Sequence, residues 1–285
     1  MIIDRLFDAV TKRGPVCVGL DTSKAVLPPS LAGGTPIAGA IFTFNRAVVD
    51  ATLDVAACYK IQIAYYEALG VDGLVCYRDT LRYIRQRGAL VIADIKRGDI
   101  FSTGEMYARA HFEGDFEADF VTLNPYVGMD VLTPFEPYLK KGKKGVFVLV
   151  RTSNPSAADF QGPSGKEKSL FMAVAERVQR FGEAYRGQCG YSLVGGVVGA
   201  TKWEELAAVR RAFPSLFLLV PGYGAQGGGG EDVASAFVDK NGAVVNASRS
   251  ILGAHRGRSG AEQCYAEYAR EAAISMREDI LRWAS

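Results

Sequence analysis

The 285 residues are 48% hydrophobic and 22% charged, with 33 Lys and Arg against 31 Asp and Glu and a formal net charge of +2. This balance argues against a disordered chain and against nucleic-acid binding through a basic stripe, and the length suffices for one large α/β barrel or two smaller domains. Five scattered cysteines, Cys17, Cys58, Cys76, Cys189 and Cys264, form no CxxC or Cys/His cluster, which argues against a zinc site or a disulfide framework and for reduced thiols in the cytoplasm.

In chain order, Met1 to Arg13 carries Asp4, Arg5, Asp8 and Lys12 among apolar residues at helical spacing, so it predicts a helix and lacks the unbroken apolar core of a signal peptide. No stretch approaches a membrane span. Eight short, β-branched runs then predict strands: Val16 to Asp21, Ala56 to Gln62, Leu90 to Lys96, Phe120 to Pro125, Gly145 to Thr152, Ser192 to Ala200, Leu216 to Gly222 and Ala243 to Arg249. Helical patterns lie between them, among them Asp130 to Lys140, Lys168 to Arg186 and Trp203 to Phe213. A last helix, Ala261 to Trp283, puts Tyr265, Tyr268, Ala269, Ala272, Met276 and Ile280 on one face. No Pro/Ser linker or charge shift marks a boundary. Eight strands with intervening helices fit a single (β/α)8 TIM barrel of the α/β class over residues 1–285 better than an open, doubly wound sheet.

A barrel places its chemistry where strands end. Asp21 is expected to end the first strand, Lys60 the second, Asp94 and Lys96 the third, Asn124 the fourth and Arg249 the eighth, with Ser153 just beyond the fifth. Each has a bland alternative: Asp21 can cap a helix, Lys60 can extend its ammonium to solvent along an apolar stem, and Asn124 before Pro125 can shape a turn. Their joint placement at one rim favours a site. In the third strand, side-chain alternation puts Asp94 and Lys96 on the same face, with Asp99 on the turn beyond.

The loop after the seventh strand runs Pro221-Gly222-Tyr223-Gly224-Ala225-Gln226 into four glycines, Gly227 to Gly230. Glycines let backbone N–H groups approach an anion, and barrels often hold phosphate on the loops after strands seven and eight. Arg249, with a fork suited to two phosphate oxygens, follows strand eight, so the pair favours a phosphorylated ligand. The only histidines, His111 and His255, suit packing or surface roles.

The motifs Gly19-Leu20-Asp21, Asp94-x-Lys96-x-x-Asp99-Ile100 and Pro221-Gly-x-Gly-Ala-Gln226-Gly-Gly resemble those of the orotidine 5′-phosphate decarboxylase family. Tyr59 to Glu67 and Arg151-Thr152-Ser153-Asn154-Pro155 are similar to its longer bacterial branch, and the likeness runs from Gly19 to Arg249. The resemblance implies a (β/α)8 barrel homodimer that takes CO2 from orotidine 5′-phosphate to give UMP in pyrimidine biosynthesis, without a cofactor or metal. It implies Lys96 as proton donor to C6, in a charged array with Lys60, Asp94 and the neighbouring subunit's Asp99. It further implies that Asp21 and Lys60 contact ribose hydroxyls, with Asp99 and Thr103 reaching across the dimer. Ser153 would bond the pyrimidine edge, and Gln226 and Arg249 the phosphate; Asn124 is expected on the binding rim from its place at the end of the fourth strand. Thr22, Phe101 and Gly104 depart from the family's pattern; the charged array does not.

Two other functions fit parts of this pattern. A Mg²⁺-dependent sugar-phosphate decarboxylase shares Asp-x-Lys-x-x-Asp but is expected to have a carboxylate where this chain has Lys60, and a lysine repels a divalent cation. A non-catalytic nucleotide-binding barrel would not need the lysine and aspartate set. Neither nucleic acid nor a membrane is an expected partner.

Overall fold

The computed structural model describes residues 1–284 except 34–35, 163–168, 200–202 and 225–227. Eight parallel strands close into a barrel in sequence order: β1 Val16–Gly19, β2 Cys58–Gln62, β3 Val91–Arg97, β4 Phe120–Leu123, β5 Gly145–Arg151, β6 Val194–Val198, β7 Leu218–Pro221 and β8 Ala243–Ala247. β8 closes on β1 through Val16 opposite Val245 and Val18 opposite Ala247. Both faces of every strand are covered, so the strands read as near-continuous apolar runs.

The helices outside follow the expected rhythm. Ile2–Arg13 buries Ile2, Ile3, Leu6 and Val10, and Ile37–Thr52, Gly70–Gln86 and Phe101–Phe112 fill the next crossovers. The helix expected over Asp130 to Lys140 is instead a 3₁₀ segment, Met129–Phe135, followed by a short α-helix, Glu136–Lys140. Pro134 lacks an N–H and its ring obstructs an α turn, which accounts for the break. The last helix is Tyr265–Trp283, and it buries Ala269, Ala273, Met276 and Ile280, with Tyr265 and Ala272 half-buried against the same core. No described helix is long and apolar enough to cross a membrane.

The interior divides into a plug and a mouth. Phe120, Phe147 and Phe217 are fully buried, with ring centroids 5.5 Å apart for Phe120–Phe147 and 6.4 Å for Phe147–Phe217. Two residues further along each strand, on the same face, Thr122, Leu149 and Leu219 line an open cleft. The aromatic plug therefore floors a cavity at the carboxyl ends of the strands.

Two departures from the family's pattern have packing reasons. Thr22 is fully buried and donates to Asn45 Oδ1 at 2.7 Å, and Asn45 donates to the Tyr66 hydroxyl at 2.8 Å, which donates to the Leu20 carbonyl. This buried network fixes the chain on either side of Asp21. At Gly104 a Cβ would lie 2.7 Å from Pro134 Cγ, so only glycine lets the Phe101–Phe112 helix approach the 3₁₀ segment so closely. Phe101 has φ +49° and is 76% exposed; no contact among the described residues explains it.

Candidate active site

The cleft measures about 410 Å³ and collects side chains from most strands. Lys60 lies in the middle of β2 rather than at its end, because pairing with β3 continues to Gln62 opposite Asp94. Its side chain is 4% exposed and its Nζ stands 2.9 Å from Asp94 Oδ2 and 3.4 Å from Asp21 Oδ1. Asp94 accepts four bonds: Lys60 Nζ and Gln62 Nε2 (3.1 Å) at Oδ2, Lys96 Nζ (2.6 Å) and Thr122 Oγ1 (2.8 Å) at Oδ1. Those four fill the lone-pair sites of a carboxylate. Asp21 lies two residues beyond β1, and its Oδ2 accepts from Ser248 Oγ at 2.9 Å. A Cβ at Gly19 would fall 2.0 Å from that Ser248 oxygen, so glycine at this position makes room for the contact.

The result is an alternating row, Asp21, Lys60, Asp94, Lys96, that balances its own charge. Burial alone would pull Lys60 down, yet Asp94 and Asp21 hold its ammonium above the ordinary lysine range. Burial likewise pushes Asp94 up, and Lys60 and Lys96 outweigh it, holding the carboxyl well below the usual carboxylate range. Lys96 is the open end of the row: its side chain is 43% exposed, and among the described residues its ammonium pairs with Asp94. An ammonium has three donors, so the remainder face the cleft.

Ser153 lines the cleft on the loop after β5. That loop is anchored by Arg151, which bonds Glu205 at 2.6 Å, and by Gln161 Oε1, which accepts from the Thr152 N–H at 2.9 Å. Arg249 also lines the mouth, but it begins the short helix Arg249–Leu252; β8 stops two residues earlier, where its pairing with β1 and β7 ends. Gln226 lies outside the described residues.

Asn124, expected at the rim, and Asp99 and Thr103, expected to reach across a dimer, do not line this chain's cleft. Asn124 is exposed just past β4, and its Oδ1 accepts from the Tyr126 N–H at 3.0 Å, so within this chain it shapes the turn into Pro125. Asp99 Oδ1 accepts from the Ile100 N–H at 2.9 Å, and Thr103 is exposed on the Phe101–Phe112 helix; neither lines its own cleft. Both histidines are buried away from the cleft, and burial holds His111 down at about 4.

Gln62, Thr122, Ser248 and Tyr65 also line the cleft and were not singled out from sequence. Gln62 could have been found, being two residues from Lys60 and on the same strand face. Thr122 gives no such signal, because a threonine inside Phe-Val-Thr-Leu reads simply as a strand former.

A closed (β/α)8 barrel with a lysine–carboxylate row at its mouth and an arginine on the last βα loop is the scaffold of a barrel enzyme, with its chemistry at the carboxyl ends of the strands. The chain belongs to the orotidine 5′-phosphate decarboxylase / HUMPS family, which residues 14–264 match. It is 51% identical over 284 residues to the orotidine 5′-phosphate decarboxylase of Clostridium kluyveri, covering 99% of this chain and 98% of that one. To the enzyme of the same name from Clostridium perfringens (strain SM101 / Type A) it is 52% identical over 282 residues, covering 98% of each. Among solved structures, Leishmania donovani OMP decarboxylase superposes with a TM-score of 0.74 at 31% identity, covering 97% of this chain and 98% of that one.

Proposed function

We propose that the chain decarboxylates orotidine 5′-phosphate to UMP and CO2 in pyrimidine biosynthesis, with no metal or organic cofactor and with Lys96 as the proton donor. The observation that carries this is the row Asp21–Lys60–Asp94–Lys96, buried at one end and open at Lys96. In the reaction the bond from C6 to the carboxylate breaks, CO2 leaves, and the electron pair stays on C6. That carbanion lies in the ring plane without delocalisation, so a fixed cation beside it lowers the barrier. The Lys96 ammonium supplies that charge, passes a proton to C6 and recovers one from water. Asp94 accepts from Lys96 and aims its ammonium, and Lys60 holds Asp94 from the other side.

Asp21 and Lys60 are assigned to the ribose hydroxyls, Ser153 to the pyrimidine edge, and Arg249 with Gln226 to the phosphate. The partner subunit's Asp99 and Thr103 complete the site in a homodimer, and one barrel spanning 1–285 works in the cytoplasm. Asn124 has its Oδ1 engaged by the Tyr126 N–H, so its Nδ2 is the group assigned to the binding rim. The Mg²⁺-dependent alternative is disfavoured by Lys60, whose ammonium occupies the space between Asp21 and Asp94 that a cation would need. A binding-only barrel has no use for a lysine held against a buried carboxylate.

The test is loss of orotidine 5′-phosphate absorbance on adding purified protein, with UMP formed in equal amount. Turnover should be unaffected by EDTA, and Lys96→Ala should lower it by many orders of magnitude while leaving the fold intact. Activity of Lys96→Ala within about tenfold of wild type, roughly 1.4 kcal/mol of barrier, would overturn Lys96 as the donor. EDTA inactivation reversed by Mg²⁺ would overturn the cofactor-free chemistry.

A further inference from the structure

The β3–β4 ladder pairs Ala93 with Val121 and resumes with Arg97 opposite Leu123. Asp94, Ile95 and Lys96 therefore stand opposite the single residue Thr122, two more than an even ladder would hold. Such a bulge deprives backbone groups of their ladder partners, and buried N–H groups must find others. Here both go to one atom: Thr122 Oγ1 accepts from the Ile95 N–H at 3.0 Å and from the Lys96 N–H at 2.9 Å. The same hydroxyl donates to Asp94 Oδ1 at 2.8 Å. One donor and two acceptor sites are all a hydroxyl has, and Thr122 spends all three on this segment. It is also 1% exposed, so water does not compete for them.

The segment so held is a strained one. Lys96 has φ +46°, in the left-handed region that a side chain with a Cβ rarely adopts. Because of that turn, the Lys96 side chain meets Asp94 through a break in the strand's alternation rather than through its regular continuation. A backbone in such a conformation persists only when its surroundings fix it.

We propose that Thr122 is a positioning residue for the decarboxylation, which presupposes Lys96 as the proton donor. Its hydroxyl pins the Lys96 backbone in the left-handed conformation and orients the Asp94 carboxylate that aims the ammonium. Thr122 acts through Lys96 and Asp94, and its methyl group and strand-forming shape are incidental to that role.

Thr122→Val keeps the shape and removes the hydroxyl; Thr122→Ser keeps the hydroxyl and removes the methyl. Thr122→Val should lower kcat by about 10²-fold, the scale of losing one preorganised donor, with KM and UMP affinity changed by less than about threefold. Thr122→Ser should recover kcat to within about tenfold of wild type. Amide exchange reads the contact without turnover: Ile95 and Lys96 should be protected in wild type and Thr122→Ser and exchange faster in Thr122→Val. If Thr122→Val does not fold, Thr122→Ala is read in the same way. The proposal is overturned if the hydroxyl-free variant keeps kcat within about threefold per UMP-binding site, if Thr122→Ser is equally impaired, or if amide exchange is unchanged. An inactive wild type with protected amides would instead overturn the decarboxylase function and leave the Thr122 contact standing.

Discussion

At the scale of single residues, the Lys60–Asp94 pair carries the sharpest electrostatic consequence. Lys60 has its ammonium held above the ordinary lysine range despite burial, so its contribution to stability is present below the unfolded value near 10.5 and fades as pH rises through the higher folded value. Asp94 is held low, so its contribution is present above the ordinary carboxylate value and fades only as pH falls through the lowered one. Between those limits wild-type stability should be insensitive to this pair. Asp94→Asn removes the nearer of the two carboxylates facing Lys60 and leaves a buried cation opposed only by Asp21 at 3.4 Å. Breaking one side of such a pair costs about 3–5 kcal/mol. Burial then dominates and lowers Lys60, so the unfolded chain binds more protons than the folded one, and the variant's stability should rise from pH 7 towards pH 10. Urea unfolding at several pH values checks this, and a variant as insensitive to pH as wild type would refute it. Asp94, Lys96, Lys60 and Asp21 were legible in sequence because charge within or just beyond a short apolar strand is unusual. Thr122 was not, since its role depends on a bulge that no residue type announces.

At the scale of elements, the strands were legible from their β-branched runs and their ends were not. Sequence extends β7 to Gly222 and β8 to Arg249, whereas ladder pairing stops at Pro221 and Ala247. Rim residues can stay extended without a partner strand, and hydrophobicity does not report pairing. The loop after β7 shows what is missing from local pattern. Tyr223 donates its hydroxyl to Asp279 Oδ2 at 2.7 Å, and the Gly230 N–H donates to the same oxygen at 2.7 Å. One carboxylate on the Tyr265–Trp283 helix thus fastens two points of a glycine-rich loop 49 and 56 residues away in sequence. Burial and that bond raise the Tyr223 hydroxyl well above the usual tyrosine range, so it stays a donor at any working pH. Asp279→Ala should strand both donors and lower stability by about 1–3 kcal/mol, with faster amide exchange at Gly230. Unchanged exchange and unchanged thermal unfolding would remove the fastening role.

At the scale of the whole molecule, the barrel places Asp99 where it cannot serve its own cleft. Asp99 turns its carboxylate to the Ile100 N–H and does not line the cavity, although it lies only three residues beyond Lys96. Nearby in sequence stand the exposed apolar side chains of Ile100, Phe101 and Met106, with Tyr126 (87% exposed) and Val127 just after β4. Between the Phe101–Phe112 helix and the 129–140 segment runs a groove of about 450 Å³, lined in part by Phe101, Pro134, Pro137 and Tyr138. A surface of this kind beside a displaced acidic residue suits a second copy of the chain, related by a twofold axis so that each Asp99 enters the other's cleft. Lys96→Ala and Asp99→Ala should each be inactive alone. In a mixed dimer one cleft then collects both defects, while the other receives an intact Lys96 from its own chain and an intact Asp99 from its partner. Random exchange makes half of the dimers mixed, each with one intact cleft, so the mixture should recover about a quarter of wild-type turnover. Native mass spectrometry of the mixture shows whether mixed dimers have formed. If they are present and turnover stays at the level of the separate variants, Asp99 does not act across the interface.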